Sequence, residues 1–382
     1  MQKIAVLTPS IDRYKDLFKD FYFPEISFIF IGTSSKTPVL EEISRVEKIL
    51  TSNQKDIDLV FGMSDRPSLI AALINEKFGL KATSSSSILK IQDKLIFLNL
   101  SKEWNIPIPE FVSVPADGDA PVLPFSYPAF AKPSRGSLSK NAERIDSEEE
   151  LVSYKKSLRD NQIIIIQPYI SSDQFTADFC VLDGNIKLVA ITKTIYNSSK
   201  TSFYEFVTPV EDEDMARKVQ KIAESIVSMT GIDRACINIE FFLMDDGKII
   251  VIECNSRPSA QFIQIINYAK NISYLNLIIE TSLGRTCGMA QGKSNREARI
   301  RVFRRDEDAL VLKAPNVEKI LNLKKKYNLL DLVVLAKEGK KLSEQSQDAY
   351  TFRYGYVSFA GSERDLDLIW EDLCSDLGII FS

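Results

Sequence analysis

Two glutamates, Glu240 and Glu253, flank an Asp246-Gly247 dipeptide in the stretch CINIEFFLMDDGKIIVIECNSRPS. If that dipeptide is a two-residue hairpin turn, Glu240 falls directly across from Glu253 and Asn238 across from Asn255. A four-residue loop keeps the same register. Side chains alternate along a strand, so all four project from one face. Directly opposed residues have Cβ atoms about 4.5–5.5 Å apart, and like charges there repel. Carboxylates so placed call for a cation between them. The oxygen-only set Glu240, Glu253 and Asn255 suits Mg²⁺ or Mn²⁺ rather than a soft metal. A three-residue turn with a bulge would instead hold the acids apart on an exposed sheet. Arg257 follows two residues after Asn255 and sets a guanidinium beside the site. Such a group stabilises phosphate or acyl-phosphate oxygens.

Two lysines stand in suggestive contexts. Lys94 lies in the helical stretch IQDKLIFLNL, and Lys132 ends the apolar strand of YPAFAKPSRGS. The residues after Lys132 form a turn whose amides and hydroxyls could close over phosphates. With its single glycine, Gly136, this turn is not a Walker motif. Taken alone, either lysine reads first as a solvated surface charge. The apolar run IIIIQPYI reads as a buried strand with its exit turn at Gln167 to Ile170.

These residues matter more because the 382-residue chain has no histidine. A Ser-His-Asp or Cys-His nucleophile is excluded, as is any zinc site built on imidazole. Carboxylates, lysine, arginine, backbone amides and hard cations remain. The net charge of −4 argues against a general nucleic-acid binder. The five cysteines, Cys180, Cys236, Cys254, Cys287 and Cys374, are scattered without a CxxC pair and read as reduced, mostly buried thiols. The N-terminal apolar stretch is too short for a signal peptide, and no run approaches the ~20 residues of a membrane helix. The expected location is the cytoplasm.

The elements that must position these groups fall into three stretches. KIAVLTP, ISFIFIG and DIDLVFGMS are short apolar strands separated by helical segments such as Leu40 to Leu50 and Pro67 to Phe78. That alternation predicts a doubly wound parallel α/β domain. Ser87 to Glu103 reads as helix, and the proline-rich stretches after it mark a boundary. Beyond lie a β-rich region with a helix at Ser147 to Ser157 and a hairpin over 174–194 turning at Asp183-Gly184. An amphipathic helix from Glu211 to Thr230, ended by Gly231, leads into the carboxylate hairpin. The last ninety residues mix strands and helices, closing with a helix near Asp365 to Leu377.

In this order the pieces resemble the ATP-grasp superfamily, over about Met1 to Gln291. The likeness rests on Asp93-Lys94, YPAFAKPSRGS, IIIIQPYI and, most specifically, NIEFF…VIECNSRPS. It implies an N-terminal α/β domain (1–93), an ATP-grasp domain (94–294) with a small lid at about 124–170, and a C-terminal α+β region (295–382). Two α+β subdomains would clasp ATP. Lys94 and Lys132 would bind its phosphates, with Ser134, Gly136 and Ser137 covering them. Gln167, Tyr169 and Ile170 would form the adenine hinge, and Gln174 would take the ribose position. Glu240, Glu253 and Asn255 would hold two Mg²⁺ or Mn²⁺ ions. Arg257, with Lys132, would serve the reacting groups. The family usually has Glu at the positions of Gln167 and Gln174, so this chain offers the nucleotide amides without charge.

The last ninety residues loosely resemble the amino-acid ligase branch, which joins a carboxylate to an amine. The implied reaction is amide formation through an acyl-phosphate, with ADP and phosphate released. Its partners would be a small carboxylic acid and an amine, with neither nucleic acid nor membrane. A homodimer is the candidate assembly. The amine must lose a proton to water or a carboxylate, for which Glu205 is a guess. Two rivals are a bicarbonate-using carboxylase or carbamoyl-phosphate synthase-like enzyme, and a nucleotide-binding regulator without turnover.

Overall fold

The computed structural model describes residues 1–19, 24–52, 56–135, 141–158, 162–197, 202–286, 296–345, 347 and 351–382. It opens with β1 (Gln2–Thr8), α1 (Ile11–Phe18), β2 (Ile26–Gly32), α2 (Val39–Ser52), β3 (Leu59–Gly62) and α3 (Asp65–Phe78). The strands form a parallel sheet in the order β2-β1-β3. Ile4 and Val6 pack against Tyr14 and Phe18 of α1 on one face. Ala5 and Leu7 meet Val46, Leu50, Ile70 and Ile74 of α2 and α3 on the other. Helices therefore cover both faces, and the strand order reverses beside β1. In such sheets the crevice beyond the strand ends at the reversal is where ligands bind.

The expected helix over Ser87 to Glu103 is two helices, α4 (Ser85–Gln92) and α5 (Lys94–Glu103). Asp93 breaks them. Its backbone is extended, and its carboxylate accepts from the amides of Leu95 and Ile96, so it caps α5. Lys94 thus opens a helix rather than riding in the middle of one.

The four strands β4 (Val112–Pro115), β5 (Ala129–Pro133), β6 (Glu143–Ile145) and β7 (Ile163–Pro168) form an antiparallel sheet ordered β4-β7-β5-β6. One face, bearing Ala129, Ala131, Ile164 and Ile166, packs on Leu151 and Tyr154 of α6 (Glu148–Ser157). Strand alternation turns Lys132 and Gln167 to the opposite face.

The large sheet begins with β8 (Asp173–Leu182), β9 (Asn185–Tyr196) and β10 (Phe203–Thr208), and continues after α7 (Glu213–Thr230) with β11 (Ala235–Leu243) and β12 (Ile249–Asn255). Positive φ at both Asp183 and Gly184 makes the predicted two-residue turn between β8 and β9. Asp212 caps α7, and Gly231, left-handed at φ 69°, ends it. After α8 (Ile263–Lys270) and α9 (Tyr274–Ser282) come β13 (Ala298–Arg305), β14 (Val311–Lys313), α10 (Val317–Lys326), β15 (Asp331–Val334), β16 (Phe352–Ala360), α11 (Glu363–Leu377) and β17 (Ile380–Phe381). The order β12-β11-β8-β9-β10-β13-β16-β15 shows the C-terminal strands extending the same eight-stranded sheet. No helix among the described residues is long and apolar enough to cross a membrane.

Gly62 fixes how α3 meets the first sheet. A Cβ there would lie 2.3 Å from the carbonyl carbon of Pro67 and the amide of Ser68, both backbone atoms of the first turn of α3. Gly62→Ala must push the helix away and should cost about 1–3 kcal/mol of stability. A thermal unfolding scan checks this as a lower melting temperature than that of the parent.

Candidate active site

The register of β11 against β12 places Asn238 across from Asn255 and Glu240 across from Glu253. The route to that register is not a two-residue turn. Met244 and Lys248 close a three-residue loop, Asp245-Asp246-Gly247, with Gly247 at φ 76°. This is the type I turn plus left-handed residue common in three-residue hairpins. The loop shifts the pairing by one, so Phe241 faces Val251. A bulge at Ile252 shifts it back before Glu240. The two irregularities cancel, and the carboxylates meet.

Local donors surround them. The Asn255 amide nitrogen donates to Asn238 Oδ1 at 2.9 Å and reaches Glu240 Oε1 at 3.3 Å and Glu253 Oε1 at 3.4 Å. Gln174 Nε2 donates to Glu240 Oε2 at 3.3 Å, and the Tyr196 hydroxyl donates to Gln174 Oε1. Lys94 Nζ stands 3.4 Å from Glu253 Oε2. Across the sheet the polar row continues with Thr176 opposite Glu240 and Thr192 opposite Thr176. Among the described residues no three acids or cysteines converge, so the donor set is two carboxylates and Asn255. Hard oxygen donors of this kind fit a hard divalent cation.

The two glutamates titrate in opposite directions. Burial and the Glu253 charge push Glu240 up to about 7, with Arg257 and Lys94 pulling against them. Burial also pushes Glu253 up, but Lys94, Lys132 and Arg257 more than undo it, leaving its carboxyl below the ordinary value. Lys132 is buried at 7% exposure, and desolvation brings its ammonium down to about 8 despite the attraction of Glu253. The small sheet thus turns a cation toward the acids of the large one.

Lys94 and the exit of β5 are tied together, since the Lys94 amide donates to the Ser134 carbonyl at 3.3 Å. Ser134 is buried; Gly136 and Ser137 lie outside the described residues. At the hinge, the Tyr169 amide is engaged by the Pro128 carbonyl at 3.0 Å. Among the described residues, Ile170 N–H and the Tyr169 carbonyl have no backbone partner and remain as a donor and an acceptor. Arg144 lies over the Tyr169 ring, 4.8 Å from its centroid. Gln167 is buried, and its Nε2 has no hydrogen-bond partner among the described residues.

Arg257 reaches toward the N-terminal domain. Its Nε donates to Asp65 Oδ1 at 2.7 Å, and its Nη2 lies 3.5 Å from Asn255 Oδ1. Glu205 does not join the site. It pairs with Ile195, beside Thr194, which lies on the same face as Thr192, so alternation turns Glu205 to the opposite face of the sheet. There it is closed between Arg299 at 2.6 Å and Arg301 at 3.1 Å with 1% exposure. The guess that Glu205 takes the amine proton is corrected by this placement.

Asp65, Gln92 and Tyr196 were missed by the sequence reading. For Asp65 a signal existed: it follows the apolar run DIDLVFG at the end of a parallel strand, where ligands of such sheets bind. The others act through tertiary contacts that carry no local pattern.

Residues 125–265 match the family model described as an ATP-grasp domain. A D-alanine–D-alanine ligase of Mycobacterium bovis is 30% identical over 186 residues, 42% of this chain and 49% of that enzyme. The carbamoyl phosphate synthase large chain of Thermoanaerobacter pseudethanolicus is 23% identical over 253 residues, 63% of this chain and 23% of that one. The chain therefore spans half or less of these curated relatives. Among solved structures, an L-amino acid ligase from Bacillus licheniformis superposes with a TM-score of 0.77 at 15% identity, covering 100% of this chain and 99% of that one. A carboxyaminoimidazole ribonucleotide synthase from Aspergillus clavatus, complexed with ATP, gives 0.71 at 14% identity, covering 99% and 98%. At these identities the likeness establishes the shared fold.

A carboxyl that keeps its proton longer in the folded chain than in the unfolded one costs stability as pH rises between the two values. For Glu240 that window runs from its ordinary 4.5 to about 7. The cation-free Glu240→Gln protein should therefore melt about 2–4 °C above the parent at pH 7.5. The gap should close near pH 5. A melting series over pH in the presence of chelator checks both points.

Proposed function

We propose that this chain, which carries an ATP-grasp domain at residues 125–265, is an ATP-dependent ligase joining a carboxylate to an amine. One observation carries the reading: two opposed carboxylates, Glu240 and Glu253, with an ammonium 3.4 Å from one of them, on a sheet of that fold. In the proposed reaction the substrate carboxylate attacks the γ-phosphorus of ATP, giving an acyl-phosphate and ADP. The amine then adds to the acyl carbon, and phosphate leaves as the amide forms.

The first step asks for positioning and charge neutralisation more than for acid-base groups. Lys94 and Lys132 would hold the transferring phosphoryl group, with Ser134, Gly136 and Ser137 over it. Ile170 N–H and the Tyr169 carbonyl offer the donor and acceptor that the N1 and N6 edge of adenine requires. Gln167 supplies an unpaired amide N–H in the same hinge, and Gln174 is assigned to the ribose. Glu240, Glu253 and Asn255 would hold Mg²⁺, two ions or Mn²⁺ in their place, which supplies further positive charge to the polyphosphate oxygens. Arg257 is assigned to the oxyanion of the tetrahedral intermediate.

The working division into 1–93, 94–294 with its lid at about 124–170, and 295–382 belongs to the same reading. So do small-molecule acid and amine partners, a cytoplasmic location, and a homodimer as the assembly to test. The bicarbonate-using and silent-regulator readings have no observation of their own in this geometry.

A screen of carboxylic acids against amines, read by ADP release and then by product mass, tests the activity. Within an active pair, Glu253→Ala should fold yet lose about 10²–10³-fold in ADP formation. Parental turnover in that variant would sink the metal assignment. The lowered value of Lys132 has its own signature. ATP affinity should weaken as pH rises through about 8, where Lys132 gives up its charge. Lys132→Arg, which stays charged, should flatten that dependence in a nucleotide titration over pH.

A further inference from the structure

Arg257 leaves β12 in the turn Ser256-Arg257-Pro258-Ser259 and lies 24% exposed. The residue lines a cavity of about 50 Å³, together with Gly62 and Ser68 from the N-terminal domain and Ser256 and Pro258 from its own turn. Space of that kind admits water rather than fixing a side chain. The direction of the guanidinium is set instead by hydrogen bonds. Nε donates to Asp65 Oδ1 at 2.7 Å, and Nη2 makes only a long contact to Asn255 Oδ1, at 3.5 Å. Nη1 has no protein partner among the described residues.

Asp65 is itself firmly seated. It is the first residue of α3, whose opening turn lies against Gly62 too closely for a Cβ to intervene. The Gln92 amide nitrogen lies within hydrogen-bond distance of the Asp65 carbonyl at 2.6 Å, Ser68 Oγ at 2.9 Å and Ser256 Oγ at 3.0 Å, and shares its two N–H groups among them. One side chain therefore staples the start of α3 to the residue just before Arg257. The Asp65–Arg257 contact spans 192 residues of sequence and joins the N-terminal sheet to the strand bearing Glu253 and Asn255.

We infer that Asp65 is a positioning residue: it orients Arg257 for acyl transfer, through a clamp completed by Gln92. The inference rests on the ligase reading proposed above. Lys132 and the hinge lie on other elements and Lys94 opens α5, so a substitution at Asp65 leaves the phosphate lysines and the hinge in place. A guanidinium bonded through Nε turns its Nη groups toward the reacting carbonyl, where planar, directional donors matter most. Freed from Asp65, it turns toward the cavity or solvent, and the acyl-phosphate reacts with water instead of with amine.

The test compares Asp65→Ala and Asp65→Asn with the parent. In Asp65→Ala, amide formation should fall about 10–100-fold, the ratio of ADP to amide should rise, and the KM for ATP should stay within about twofold of the parent. Asp65→Asn keeps an oxygen for Nε and should recover most of the coupling. A merely structural role would lower the active fraction without moving the ratio. An unchanged ratio in Asp65→Ala overturns the inference, and so does an Asn variant as uncoupled as the Ala variant. Hydrogen exchange provides an arm independent of turnover. Asp65→Ala should speed exchange across residues 255–259 while leaving β5 and β7 unchanged, and equal exchange in that turn refutes the clamp. If the parent makes no amide with any acid and amine, the ligase reading fails, and the exchange arm alone decides whether Asp65 holds the turn.

Discussion

The repulsion between Glu240 and Glu253 organises this molecule. Their strands pair them directly, and neither can turn away without leaving the face that alternation assigns to it. Like charges so placed oppose folding unless other groups answer them. The chain answers from every side. Lys94 comes from the start of a helix, Lys132 from another sheet, Arg257 from the strand exit, and the amides of Asn255 and Gln174 from the floor. Burial, and then the Glu253 charge, make a proton the remaining relief, which is why Glu240 holds one so late. A site that attracts cations this strongly is suited to a polyanion that brings its own divalent ions.

The same constraint explains why distant elements converge. Lys94 reaches Glu253 only because Asp93 stops one helix and caps the next, which frees the Lys94 amide for Ser134 at the end of β5. That backbone bond ties α5, whose Lys94 side chain reaches Glu253 of the large sheet, to the small sheet near the place where a transferred phosphoryl group would lie. On the other side, the Gln92 staple and the Asp65 contact tie the first sheet to the turn after Asn255. The site is thus bordered by parts drawn from three stretches of the chain: the first sheet shares one apolar core with the large sheet, α4 and α5 share another with it, and the polar contacts set the groups at the rim.

Much of this arrangement was legible in the sequence, because strand alternation and turn chemistry are local. The α/β alternation of the first ninety residues, the Asp183-Gly184 turn and the capped helix before β11 all follow from short-range patterns. The carboxylate register agrees with the sequence reading only because two irregularities cancel. Asp245-Asp246-Gly247 forms a three-residue loop, which alone would have separated the acids. The compensating bulge at Ile252 has no glycine or other marker to announce it. The helix break at Asp93 was hidden because the apolar period runs on through it. Asp65 and Gln92 were hidden because their partners stand far away in sequence. The placement of Glu205 could be read only once the pairing of β9 with β10 was known, since one residue of register exchanges the two faces.

That placement bears on the amine proton. The chain has no histidine, so in the proposed reaction the acceptor must be a carboxylate or water. Glu205 faces away, between two arginines. Glu240 and Glu253 are committed to the cation site, and Asp65 to Arg257. Asp178, across from Asn238, is fully buried, with one oxygen taken by the Ser259 amide and the Tyr274 hydroxyl. Burial has already raised it to about 6 despite those bonds. Its other oxygen lacks a partner among the described residues, but substrate could reach it only by opening the core beneath the site. Among the described acids around the site, then, none is both exposed and uncommitted. In the proposed reaction, and among the described residues, this placement is met by an ammonium that loses its proton to solvent before attack, with the acyl-phosphate held against Arg257 until a neutral amine arrives.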